Sequence, residues 1–127
     1  MTEIKRVLIV DDDETMRVLT AMQLKGLGFE SDAFPDAEKA LLAFEKNQYD
    51  FIFMDIQMPG MDGLQATRVI REREQALHRK PVAIIALTAS RAKDPALEAG
   101  MDDFLFKPVL LGALKEIVAS WSHEIHT

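Results

Sequence analysis

The sequence contains no cysteine, which excludes disulfides and thiolate metal sites. That fits a reducing compartment, and a cytoplasmic location is the expectation. Long apolar runs are also missing. The longest, such as Val7 to Val10 and Val82 to Leu87, fall far short of the roughly 20 residues that span a bilayer. Lys5 and Arg6 before Val7 to Val10 have the outline of a secretory signal, but the apolar stretch ends at Asp11. A soluble domain without a membrane partner is expected. Positive charge is in deficit: the net charge is −6, which repels a phosphate backbone and argues against direct nucleic-acid binding. Glycine and proline are sparse, with 6 and 5 in 127 residues, and no repeat, low-complexity tract or linker interrupts the chain. Residues 1–127 therefore read as a single domain, large enough to bury about two thirds of its unfolded surface.

What is present is an alternation of two patterns. Short apolar runs at Val7 to Val10, Phe29 to Phe34, Phe51 to Met54, Val82 to Leu87 and Phe104 to Phe106 predict five strands. Between them, helical spacing joins Met16, Leu19, Gln23, Leu24 and Leu27; then Ala37, Ala40, Leu41 and Phe44; then Leu64, Thr67 and Ile70. A last helix carries Leu110, Leu114, Ile117 and Trp121. The punctuation agrees: Asp36 suits a helix N-cap, Gly28 and Gly100 suit left-handed helix ends, and Pro59-Gly60 marks a turn. From Thr88 to Gly100 there is room for a loop and only about two helical turns, so the fourth helix is expected to be shortened.

Strands alternating with helices predict an α/β fold, a parallel sheet with helices on both faces. Strands one, three and four are uniformly apolar, as central strands buried on both sides must be. Strand two mixes in Glu30, Ser31 and Asp32 and belongs at an edge. The flavodoxin-like order 2-1-3-4-5 meets these conditions and puts the topological switch point at the carboxyl ends of strands one and three.

Those two ends are acidic: Asp11, Asp12, Asp13 and Glu14 follow strand one, and Asp55 follows strand three. Alone, the first run reads as a helix N-terminus favoured by the macrodipole, and Asp55 alone reads as an Asx turn. Together they converge, and carboxylates a few ångströms apart repel by roughly 1 kcal/mol per pair even in water. A cation is expected among them. Asp11, Asp12 and Asp55 offer hard oxygens suited to Mg²⁺. Thr88 after strand four and Lys107-Pro108 after strand five add a hydroxyl and an ammonium to the same rim. Singly, Thr88 reads as an N-cap and Lys107 as a surface lysine. As a set they describe phosphoryl transfer to a carboxylate, with Asp55 attacking and Lys107 neutralising a phosphoryl oxygen.

Four strings, Val7-Leu8-Ile9-Val10-Asp11-Asp12, Met54-Asp55-Ile56-Gln57-Met58-Pro59-Gly60-Met61-Asp62-Gly63, Ala86-Leu87-Thr88-Ala89 and Phe106-Lys107-Pro108, resemble response-regulator receiver domains over essentially the whole chain. The resemblance implies Asp55 as phosphoacceptor in a two-component phosphorelay, and Asp11, Asp12, Asp55 and the backbone carbonyl of Gln57 as ligands of Mg²⁺, with Mn²⁺ as the substitute ion. It also implies a cis peptide between Lys107 and Pro108. Thr88 and Phe104 would form the conformational switch, Thr88 moving toward the phosphoryl group; a permanently buried core aromatic is the equal alternative for Phe104. The strings from Met54 to Gly63 and Gly100-Met101-Asp102-Asp103 resemble receivers attached to hybrid histidine kinases. A histidine kinase or histidine-phosphotransfer protein is the implied partner, the downstream target is open, and a monomer or weak dimer is expected. Such a domain catalyses only its own phosphorylation and dephosphorylation. Gln57 and Ser90, each two residues past a site residue, are candidates for setting the lifetime of the acyl phosphate.

Two rival classes share parts of the pattern. A flavodoxin-like redox protein needs a hydroxyl- and glycine-rich phosphate loop after strand one, where Asp11 to Glu14 would repel the flavin phosphate. A metal-dependent phosphatase would use Asp55 as a nucleophile and turn over continuously. His123, Glu124 and His126 offer no third metal ligand and read as tail residues. The charges Arg68, Arg71, Glu72, Arg73 and Glu74 read as the exposed side of helix three, and His78 as a surface connection.

Overall fold

The structure, a computed structural model, describes residues 5–89 and 99–125, with backbone only for 123–125. Five strands and four helices lie among the described residues: β1 (Lys5–Val10), α1 (Glu14–Gly26), β2 (Phe29–Phe34), α2 (Ala37–Lys46), β3 (Phe51–Asp55), α3 (Gly63–Ala76), β4 (Ala83–Thr88), β5 (Asp103–Phe106) and α4 (Leu111–Ile125). The sheet is parallel in every pairing, in the order β2-β1-β3-β4-β5. The expected architecture and strand order are thus found. The shortened helix expected between β4 and β5 falls on 90–98, outside the described residues, as does Ser90.

Period-two side-chain alternation in the central strands builds two cores. Leu8, Val10, Ile52, Met54, Ile84 and Ala86 point to one face and pack under α2 and α3 with Ala40, Phe44, Ala66 and Ile70. Val7, Ile9, Phe51, Phe53, Ile85 and Leu87 point to the other, where Leu24 of α1 and Leu114, Ile117 and Val118 of α4 cover them. β1, β3 and β4 are therefore buried on both faces, whereas β2 alternates with exposed positions as an edge strand does. No described helix is long and apolar enough to cross a membrane.

The helix starts follow their caps. Asp13, Asp36 and Asp62 each accept an amide hydrogen bond three residues on, from Met16, Lys39 and Gln65. Asp62 and Gln65 close a reciprocal capping box. Gly28 and Gly100 adopt positive φ values of 95° and 107°, as expected of left-handed positions.

Three expectations are corrected. Leu19 is exposed and Thr20 takes the buried place on α1, because the buried face centres on Thr20 and Leu24. Leu110 is exposed and precedes α4. Arg71 and Glu74 are not solvated charges on α3: Glu74 is 3% exposed. The Arg71 guanidinium donates to Glu74, Asp102 and the carbonyls of Val82 and Gly100 at 2.9 to 3.0 Å. In turn Glu74 accepts from the Val82 amide at 2.6 Å and Asp102 from the Ile84 amide at 2.8 Å. Buried charge is retained because every group in the network is paired.

Candidate functional site

The carboxyl ends of β1, β3, β4 and β5 bring the predicted residues to one rim. Asp11 lies one residue past β1, fully buried, with its amide donating to the Phe34 carbonyl at 3.2 Å. Asp12 is exposed beside it. Asp55 ends β3 and is 3% exposed, a placement for a carboxylate that capping cannot explain. Oxygens of Asp11, Asp12 and Asp55 all lie within 4.8 Å of one another. Thr88 ends β4, nearly buried, and its carbonyl accepts from the Lys107 amide at 2.8 Å. Lys107 follows β5, and the Lys107–Pro108 peptide is cis.

Lys107 reaches across the crevice. Its Nζ donates to Asp55 Oδ2 at 2.8 Å and to Asp11 Oδ1 at 3.3 Å. It lies equally near Asp11 Oδ2, at 3.3 Å, without a hydrogen bond to it. Asp11 Oδ1 also accepts from the Asp13 amide at 3.0 Å, and Asp55 Oδ1 from the Gln57 amide at 3.1 Å. Burial pushes the Asp55 carboxyl up to about 6 from 3.8; the Lys107 bond and charge oppose this, the Asp11 charge adds to it, and the Gln57 amide opposes it. Burial alone would lower the Lys107 ammonium, but the bond to Asp55 and the Asp55 and Asp11 charges outweigh it and raise it above its ordinary 10.5. Both groups are charged near neutral pH.

Three carboxylates gather near one ammonium, and Asp11 Oδ2, buried and 3.3 Å from Lys107 Nζ, has no hydrogen bond among the described residues. A buried anionic oxygen that makes no hydrogen bond is costly even beside an ammonium. A hard divalent cation bound by oxygen would satisfy it, so the residues present fit a receiver-type metal site. Thr88 and Lys107 stand on the side of β4 and β5, and the acids on the side of β1 and β3.

A protein-family model, the response regulator receiver domain, matches residues 7–119. The chain belongs to that family. The sensor histidine kinase GacS of Pseudomonas protegens is 39% identical over 120 residues, which cover 92% of this chain and 13% of the kinase. This receiver thus spans only a small part of the curated relatives it matches. The receiver domain of sensor histidine kinase PA1611 of Pseudomonas aeruginosa, whose structure has a magnesium ion coordinated in the active-site cleft, is 33% identical. It superimposes with a TM-score of 0.82, over 98% of this chain and 100% of that one. The receiver domain of Saccharomyces cerevisiae Ssk1, crystallised with the histidine phosphotransfer protein Ypd1, is 29% identical with a TM-score of 0.87, over 95% of this chain and 90% of that one.

The remaining residues singled out in the sequence occupy less central places. Gln57 is exposed, its amide committed to Asp55. Phe104 is half-buried against the core under α2 and α3, edge-on to Phe106 with ring centroids 5.2 Å apart. The side chains of His123, Glu124 and His126 lie outside the described residues. Two contributors had no role assigned from the sequence. A Cβ on Gly63 would lie 2.1 Å from the Asp55 carbonyl oxygen, so only glycine lets α3 begin against the backbone of that residue. Arg17 donates to the Asp11 carbonyl at 2.8 Å. Neither contact has a local sequence signal, because each spans a turn whose path is set by the fold.

Proposed function

We propose that this receiver accepts a phosphoryl group on Asp55 from a phosphohistidine donor, in a Mg²⁺-dependent reaction. The observation that carries the reading is a carboxylate at the end of β3, 3% exposed, 2.8 Å from the Lys107 ammonium and clustered with the oxygens of Asp11 and Asp12. Asp11, Asp12, Asp55 and the backbone carbonyl of Gln57 would hold Mg²⁺, with Mn²⁺ as a substitute, and the ion supplies charge neutralisation to phosphoryl oxygens.

An Asp55 oxygen attacks phosphorus in line. The new P–O bond forms as the P–N bond of the donor breaks, and the bonding pair leaves with the imidazole nitrogen. Lys107 turns from Asp55 to a phosphoryl oxygen and balances the charge gathered there. Thr88 donates its hydroxyl to another phosphoryl oxygen. In its new position Thr88 vacates space near Phe104, and the two side chains set the balance between inactive and active packings. The product is an acyl phosphate that this chain hydrolyses once per modification, so the domain is a switch and not a turnover enzyme.

The donor is a histidine kinase or a histidine-phosphotransfer protein, and the output is a protein partner or attached domain rather than nucleic acid. Residues 1–127 act as one receiver unit, monomeric or weakly dimeric, in the cytoplasm. The donor must dock at the rim that carries Asp55. The segments leading from that rim, α1 after Asp13 and the turn after Lys107 with the start of α4, carry exposed Val18, Met22, Leu110 and Leu111. Transfer from a radiolabelled phosphohistidine protein tests the reading. Label should reach the wild-type chain in Mg²⁺, and neither Asp55→Asn nor a chelator-treated sample should take it. Equal labelling of Asp55→Asn would refute it.

A further inference from the structure

We infer that Arg17 is a positioning residue for the cation site, fixing the main chain of Asp11 so that its carboxylate keeps its place among the acidic cluster; the inference rests on the Mg²⁺ reading given above. The register of β1 with both of its neighbours ends at Val10. Asp11 therefore stands beyond the ladder, fully buried, and its main chain needs other partners. Its amide takes the Phe34 carbonyl at 3.2 Å, and its carbonyl receives Arg17 Nη1 at 2.8 Å. Its Oδ1 is committed to the Asp13 amide and to Lys107. Both flanks of the residue and one carboxylate oxygen are thus fixed, and Oδ2, 3.3 Å from Lys107 Nζ, makes no hydrogen bond among the described residues.

Arg17 can do this because α1 is itself locked to the same turn. The Asp13 carbonyl accepts the Arg17 amide at 3.0 Å, and the Asp13 side chain accepts the Met16 amide at 3.1 Å. The guanidinium folds back over one helical turn onto the residue two before the cap. A charge so placed acts in two opposing ways. Its positive field disfavours a cation nearby, whereas its hydrogen bond keeps a ligand carboxylate oriented. Removing Arg17 tightens cation binding if the field dominates and weakens it if positioning dominates. Groups that orient ligands from outside the coordination shell commonly control affinity by 10- to 100-fold, and a half-buried guanidinium is partly screened by solvent. Positioning is the larger effect.

Calorimetric titration of Mg²⁺ into the metal-free protein, a readout independent of phosphorylation, tests this. Arg17→Met should raise Kd about tenfold, and Arg17→Lys, which keeps a donor on a long stem, should return to within about threefold of wild type. Arg17→Gln, neutral and shorter, stands in if Arg17→Met does not fold, as judged by a thermal melt in chelator, and should meet the same tenfold criterion. Unchanged or tighter binding by a folded neutral variant overturns the inference. So does an Arg17→Lys protein that binds as weakly as the neutral ones. Absence of binding by the wild-type protein would instead defeat the reading of the crevice as a Mg²⁺ site.

Discussion

Replacing Lys107 with methionine removes the ammonium that lies 2.8 Å from Asp55 and 3.3 Å from Asp11 while keeping a side chain of similar volume. Two carboxylates, 0% and 3% exposed, would then face each other without it. Removing one partner of a buried ion pair usually costs about 3–5 kcal/mol. Here the loss is capped, because Asp55 already titrates near 6 and, without Lys107, rises further and takes up a proton at pH 7. The expected loss in metal-free buffer is therefore about 2–3 kcal/mol, below the usual range. With an m-value near 1.5 kcal/mol/M, that moves the urea midpoint down by about 1–2 M. Mg²⁺ should shrink the gap, since a divalent ion replaces the lost charge and a bound ligand stabilises the folded state by mass action. Parallel urea melts of both proteins, with chelator and with 10 mM-scale Mg²⁺ (roughly physiological or above), provide the assay. Equal midpoints in chelator, or a gap that Mg²⁺ leaves untouched, would refute the electrostatic account of the crevice.

Other perturbations test separate parts of the structure. Gly63→Ala puts a methyl group 2.1 Å from the Asp55 carbonyl, so the turn must shift; a loss of about 1–3 kcal/mol in urea melts and weaker Mg²⁺ binding by calorimetry are expected together. Arg71→Met strands Glu74, 3% exposed, and Asp102 without their shared guanidinium, and a melt should register a loss of about 3 kcal/mol. Tyr49 donates to Asp32 at 2.8 Å, and Tyr49→Phe should lose about 1 kcal/mol at neutral pH. Burial and then the Asp32 bond push the Tyr49 hydroxyl well above its ordinary 10. The folded state therefore keeps a proton that the unfolded chain releases, so wild-type stability falls as pH rises past 10. Alkaline melts should show a shallower fall in Tyr49→Phe.

The central strands were legible in the sequence because burial on both faces demands unbroken apolar runs; the edge strand β2 was legible from the aromatic residues that bound it, Phe29 and Phe34, and all five agree within a residue or two at their ends. The topological switch point followed from strand order, and with it the meeting of Asp11, Asp12 and Asp55. Side chains that act through space were less legible. Arg71 and Glu74 sit in a charged stretch that looks solvated, and only the approach of Gly100, Val82 and Asp102 from other elements buries them. Leu19 follows the apolar spacing of α1 yet is exposed, since the buried face of that helix runs through Thr20 and Leu24. Arg17 and Gly63 act on backbone carbonyls, for which residue type leaves no pattern.

The central claim is that the phosphoryl group resides on Asp55. Borohydride reduction of the phosphorylated protein converts an aspartyl phosphate to homoserine, and peptide mass spectrometry locates it. Homoserine at position 55, formed only when phosphorylation was carried out in Mg²⁺, is the predicted result. Homoserine at Asp11, Asp12 or Asp13, or none in a chain shown to carry phosphate, would contradict it.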